Sequence, residues 1–270
     1  MADPTLPPLS EPFPLPESAS VELQTHGHVT VRGLLSRAEA IAYRGVIHRA
    51  RSRVAALVPT EEEGDAYARA FAQHMNLWRV DADAAQFSLA PRLARVAAQL
   101  LGAVKVRIYH DQALFKAAGG GPTPWHQDKH YWPIDTDLLT MWMPLVDVTP
   151  EMGELRFARG THRAGPLSDK PISAQSDAEL EALVRERGYA VVGTGPMRAG
   201  DASFHLAWTL HGAGPNRTAL EREVMTVIWL PDGARVTEPR NSGQSADLAT
   251  WLPRLRPGDL AASPMNPVCG

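Results

Sequence analysis

The sequence predicts a mainly β protein with helices, an α+β fold in which a helical layer packs on a β-sandwich or jelly roll. Helix-period segments come first, up to Gly102. From Ala103 the chain changes into short runs rich in β-branched and aromatic residues, separated by Gly, Pro and Asp clusters. No linker or internal repeat is visible, so residues 21–270 are expected to form a single domain. Residues 1–20, with their prolines, are expected to be an extended or disordered arm.

The elements follow in order. HVTVRGLL (28–35) alternates as a strand does and leads into Ser36-Arg37-Ala38-Glu39, a capping-box pattern opening a helix that runs to about Ala56. A second helix is expected from about Asp65 to Trp78. In PRLARVAAQLLG (91–102), Leu93, Val96, Ala97, Leu100 and Leu101 form one stripe, Pro91 suits a first turn, and Gly102 ends the helix. The strands are then VKVRIYHDQALFK, LLTMWMPLVDV, ELRFARG, GDASFHLAWTLHG and REVMTVIWL, interrupted by one helix over about Asp177 to Arg187.

Composition narrows the function. A chain of 270 residues with 44% hydrophobic and 21% charged residues is that of a globular protein able to bury a substantial core. Its net charge of -3 gives no broad pull toward nucleic acid or an anionic membrane. No apolar run is long enough to cross a bilayer, and the N-terminus lacks the basic and apolar regions of a signal peptide. The single cysteine, Cys269, excludes an intrachain disulfide framework and fits a reducing, cytoplasmic setting.

The chemistry-bearing stretch is WHQDKH (125–130). In a strand, residues i and i+2 share a face, so His126 and Asp128 project together and suit two ligands on one metal. His130 lies on the same face, but four extended residues carry it about 13 Å from His126, out of reach of the same ion. A third ligand should come from another strand. The best candidate is His211 in TLHGAGPNRT, at a strand end before a Gly-Pro-Asn turn. His26, His28, His48, His74, His162 and His205 read as packed or solvated imidazoles. Two histidines and one carboxylate leaving open positions form the facial triad of non-haem Fe(II) oxygenases.

WHQD, MWMPLVDVTPEMGELRFARGTHR (141–163) and LHGAGPNRTALERE (210–223) together resemble the phytanoyl-CoA dioxygenase family of Fe(II)/2-oxoglutarate oxygenases. The resemblance covers roughly Val104 to the C-terminus. It implies a double-stranded β-helix (jelly roll, cupin-like) core, with iron held by His126, Asp128 and His211. It also implies an arginine eleven residues beyond the distal histidine, here Arg222, gripping the far carboxylate of 2-oxoglutarate. A guanidinium suits that task because it pairs bidentately with a carboxylate and stays charged; Arg217 is the rival. Where family members often carry a serine whose hydroxyl supports the cosubstrate, this chain has Ala213, so that hydrogen bond is either missing or supplied elsewhere, with Thr218 or a tyrosine able to serve. Gln112 and Lys116, on one face of their strand, and Trp142 in the next are further candidates to meet the cosubstrate. His130 and Tyr131 are expected on the substrate side.

The resemblance thus implies a dioxygenase that oxidises an unactivated C–H of a medium-sized, partly apolar small molecule, with release of succinate and CO2. Hydroxylation in secondary-metabolite tailoring is the first reading, and cyclisation, desaturation or epimerisation the alternative. The retained Asp128 counts against a halogenase. A zinc hydrolase using the same ligands gives no reason for Arg222, and a non-catalytic jelly-roll binder gives none for three ligands. Expected partners are the small molecule and O2, with no nucleic acid or membrane, and the chain is expected to be a monomer or weak homo-oligomer.

Overall fold

The structure is a computed structural model that describes residues 5–57 and 71–270. Its frame is two antiparallel sheets. The larger contains β1 (His28–Val31), β8 (Ala202–Leu206), β5 (Leu139–Pro144), β10 (Arg222–Pro231), β3 (Val106–Lys116) and β11 (Val268–Cys269) in that spatial order, with β2 (Phe71–Met75) also paired to β3. The smaller has the order β4 (Thr123–His126), β9 (His211–Ala213), β6 (Leu155–Ala158), β7 (Val191–Gly193). The two sheets enclose a cavity, the jelly-roll arrangement expected.

Strand alternation decides which side chains meet the cavity. On β10, Met225, Val227 and Trp229 join the main hydrophobic core, whereas Arg222, Thr226 and Ile228 line the cavity. Both faces of this strand are covered, so every residue from Arg222 to Leu230 is buried. The outer face of the large sheet packs on the N-terminal helices through Tyr43, Ile47, Leu93, Val96 and Leu100. The capping box at Ser36 forms as read: the Ser36 hydroxyl accepts from the Glu39 amide, and the Glu39 carboxylate from the Ser36 amide. It opens α2 (Arg37–Leu57). The helix Pro91–Leu101 ends on Gly102 at φ 64°, the left-handed turn a glycine takes without strain.

Two expectations need correction. Residues 71–75 of the helix expected over 65–78 form strand β2, paired with Lys116 to Gln112 of β3, and a short helix follows only at Leu77–Val80; residues 65–70 lie outside the described part. Asp111, buried on β3, accepts from the Leu77 and Trp78 amides and fixes that break between strand and helix. The arm expected over residues 1–20 ends sooner, because α1 (Glu17–His26) begins inside it. Ahead of α1, Leu9 and Leu15 are buried in the main core, and the Leu9 carbonyl accepts from the Arg92 amide.

A helix absent from the sequence reading, Ser242–Trp251, lies over the cavity. Asn241 caps it by accepting from the Gln244 amide. No helix among the described residues is long and apolar enough to cross a membrane.

Candidate active site

His126 and His211 face each other as partners across the β4–β9 pairing, with ring centroids 4.2 Å apart. Asp128 follows two residues after His126. Gln127 is still extended, at φ -117° and ψ 122°, so His126 and Asp128 keep a common side. The chain then turns into a 3₁₀ turn over Asp128–His130. Asp128 Oδ1 lies 3.5 Å from His126 Nε2 and 3.7 Å from His211 Nε2, and the three ligand atoms are all within 4.8 Å of one another.

The histidine tautomers follow from their partners. His126 Nδ1 lies 2.7 Å from the Pro124 carbonyl and His211 Nδ1 lies 2.9 Å from the Thr209 carbonyl. A carbonyl only accepts, so each Nδ1 carries a proton, which leaves each Nε2, turned toward Asp128, as the atom that can give a lone pair to a metal. Asp128 Oδ2 is held from the other side by the Thr140 hydroxyl at 3.0 Å and His205 Nε2 at 3.2 Å, which leaves Oδ1 toward the histidines. Burial would raise the Asp128 carboxyl, but His211 above all, with His126 and His205, holds it well below the usual carboxylate range. Burial, with His126 and His205 close by, keeps the His211 imidazole well below its usual value, which favours the neutral ring. Although burial opposes it, Asp128 raises the His126 imidazole above its usual value, and a metal taking Nε2 would displace that second proton. One carboxylate oxygen and two imidazole Nε2 atoms converging on one point are a donor set that fits a divalent metal, iron included.

The cavity beside these residues has a volume of about 460 Å³. Arg222 and Trp142 line it, and the buried Arg222 guanidinium sits 5.4 Å from the centre of the Trp142 ring and donates to the Gly153 carbonyl. Gly153 is held at φ 81°, and a Cβ there would come 2.3 Å from the Gly214 carbonyl, so this turn admits only glycine. Gln112 also lines the cavity, and Lys116 pairs with Arg222 across β3 and β10. The Lys116 ammonium donates to the Thr123 hydroxyl at 3.2 Å and to the Gly214 carbonyl at 2.9 Å. Burial first, then Arg222 and Arg156, brings it down to about 7.

Other sequence candidates are placed differently. Thr218 stays in its turn, bonded to Asn216, outside the cavity wall. The hydroxyl nearest Ala213 in the pairing is instead Thr123, its partner across β4–β9, which does line the cavity. Tyr131 lines the cavity and its hydroxyl accepts from the Ile172 amide. His130, carried away by the 3₁₀ turn, is not on that wall; its carbonyl is held by Asn241 and Gln244. Arg217 is exposed.

Sequence reasoning passed over His205 and His110, both fully buried and both lining the cavity. For His205 the available signal was its alternation with Phe204 and Leu206, which puts it on the opposite face from those apolar neighbours. Asp247 and Trp251, on the unanticipated helix, complete the wall.

Fold and site together define a class, the non-haem iron, 2-oxoglutarate-dependent oxygenases built on a jelly roll. More narrowly, the chain belongs to the phytanoyl-CoA dioxygenase (PhyH) family, whose pattern matches residues 23–224. A curated relative, the probable alpha-ketoglutarate-dependent hypophosphite dioxygenase of Stutzerimonas stutzeri, is 26% identical over 130 residues. That match spans 45% of this chain and 44% of the relative, less than half its length. Among solved structures, the fold matches the non-haem alpha-ketoglutarate-dependent carbocyclase SnoK from nogalamycin biosynthesis, with a TM-score of 0.78, 24% identity, and coverage of 97% of this chain and 100% of that one. The epimerase SnoN from the same biosynthesis matches with a TM-score of 0.75 and 25% identity, over 93% of this chain and 97% of that one.

Proposed function

We propose that this protein oxidises an unactivated C–H bond of a medium-sized, partly apolar small molecule, by hydroxylation in the tailoring of a secondary metabolite. The observation that carries the reading is the pairing, in one cavity, of the His126–Asp128–His211 cluster with a buried guanidinium, Arg222. Iron and 2-oxoglutarate, once bound, supply the oxidising chemistry, consuming O2 and releasing succinate and CO2.

The chain's own residues do the holding and the shielding. His126 Nε2, Asp128 Oδ1 and His211 Nε2 would hold the metal. Thr140 and His205 keep the Asp128 carboxylate turned toward it. Arg222 would take the distal carboxylate of 2-oxoglutarate through charge-assisted bonds, with Trp142 packed against its guanidinium and Lys116 behind Thr123 adding positive charge when protonated. Gln112 and Tyr131 flank the remaining space. The cavity's apolar walls exclude water from the reacting centre.

A cyclised or epimerised product is the second reading, favoured by the 25% identity to an epimerase over 93% of this chain. The test common to both is anaerobic titration of the purified protein with Fe(II) and 2-oxoglutarate. A weak visible charge-transfer band that appears only with both is the expected result. Binding of zinc with hydrolytic activity in the absence of O2 and 2-oxoglutarate would overturn the reading.

A further inference from the structure

The helix Ser242–Trp251 presents Gly243, Asp247, Thr250 and Trp251 to the cavity, residues spaced to share one helical face. Asp247 is half-buried there. It accepts a hydrogen bond from the phenol of Tyr109, a buried residue, and the Trp251 side chain, close by, favours its charged form. Tyr109 and Trp251 are the only groups acting on this carboxyl among the described residues; no lysine, arginine or histidine is paired with it. Around it the wall is aromatic, with Tyr131, Trp132 and Trp251. Next to Trp251, at 5.4 Å between ring centroids, stands His110, fully buried, with Nδ1 lacking a hydrogen-bond partner among the described residues.

A carboxylate offers about four acceptor positions, and the Tyr109 phenol fixes it in place without bringing a positive charge. Buried carboxylates are normally paired with a cation. This one faces a cavity and has an aromatic surround, the two features that together select an ammonium group. We infer that this end of the cavity binds the protonated amine of an otherwise apolar substrate, with Asp247 as counter-ion and Trp251, Tyr131 and Trp132 as the aromatic wall. The inference rests on the proposed oxygenase reading only in calling that molecule the substrate. With no cation beside it among the described residues, burial pushes the Asp247 carboxyl up to about 7 against the pull of Tyr109 and Trp251, and a bound ammonium would hold it ionised. A substrate hydroxyl would use the same acceptor positions but would bring no positive charge to hold the carboxyl ionised.

The test compares benzylamine with benzyl alcohol, two probes of the same shape, binding to the anaerobic protein loaded with Fe(II) and 2-oxoglutarate. Affinities are read by ligand-observed NMR. The expected wild-type preference for the amine is at least about tenfold, the scale of one charge-assisted hydrogen bond. In Asp247→Asn that preference should fall to within about twofold, while the iron–2-oxoglutarate band keeps its intensity and midpoint. Should Asp247→Asn not fold, Thr250→Lys places an internal cation one turn along the same face; it should weaken the amine and spare the alcohol. Equal binding of the two probes by wild type, or a preference that survives Asp247→Asn, overturns the inference, the second showing that the amine ligates the metal instead. If no band appears in wild type, the oxygenase reading fails, and the amine preference is still measured.

Discussion

Replacing Arg222 by Ala removes a charge-assisted contact worth about 1.5–3 kcal/mol, which corresponds to about 10- to 150-fold weaker 2-oxoglutarate. Iron should stay bound, because Arg222 is outside the three-residue cluster. Arg222→Lys should recover only part of the loss, and Arg217→Ala, at an exposed position, should change little. Cosubstrate affinity across these variants decides the matter, and a damaging Arg217→Ala beside a harmless Arg222→Ala would reverse the assignment. Thr140→Val keeps shape but removes the hydroxyl that holds Asp128 Oδ2, so it should weaken iron by about 10- to 100-fold without touching a ligand. His130→Ala should leave iron affinity unchanged. Lys116 gives a pH dependence. Its ammonium titrates near 7 in the empty protein, and a bound dianion raises that value, so binding takes up a proton. Affinity should therefore be greatest below 7 and fall as pH rises between about 7 and 9, and Lys116→Met should flatten the profile. Of this site, His126, Asp128, His211 and Arg222 were legible because their spacing is short or carried by a family pattern. His205 and Asp247 were not, because each acquires its role from a partner far along the chain, Asp128 and Tyr109 respectively.

Strand β10 joins the cavity to the helical layer. Arg222 points inward, and its neighbour Glu223, pointing outward, receives two bonds of 2.6 Å from Arg44 and one contact of 2.7 Å from His48, both on α2. The Glu223 carboxylate is buried, but its partners are partly exposed, so Glu223→Gln should cost about 1–2 kcal/mol at neutral pH rather than the full value of a buried pair. Although burial opposes it, Arg44 and His48 lower the Glu223 carboxyl below its usual value. A lowered acid contributes stability above its unfolded pKa and loses it as pH falls through the folded one. Urea denaturation should therefore separate wild type from Glu223→Gln at pH 7 and bring them together in acid below the usual glutamate range. Elements whose signals are local, such as the α2 capping box and the Pro91–Gly102 helix, could be read in advance. Strand β2 could not: FAQHM has no strong alternation, and it becomes a strand because β3 offers it a free edge. Helix Ser242–Trp251 was equally quiet, with Gly243 and several small polar residues and only Leu248, Trp251 and Leu252 to mark a face.

Across the whole molecule, the two sheets differ in how well they are held. The large sheet is clamped by the main core and long strands, while the small one relies on strands of three or four residues and an irregular register between Thr123 and His126. Ligand linkage makes the difference measurable: metal at about a hundred times its dissociation constant adds about 2.7 kcal/mol, a rise of roughly 5–10 °C in Tm for a chain of this size, reversed by a chelator. The cross-strand pairing of His126 with His211 gives that gain an address. One ion gripping both imidazoles is a rivet through β4 and β9, and it spares β10 and β3. Without it, the short ladder should breathe, exposing its amides to solvent long before the molecule as a whole unfolds. Hydrogen–deuterium exchange should then slow by orders of magnitude at residues 123–126 and 211–213 when metal is added, and stay nearly constant along 106–116 and 222–231. The lifetime of the metal complex would set the clock for that breathing, so a slowly exchanging metal such as Ni(II) should leave the small sheet quieter than a labile one such as Mn(II).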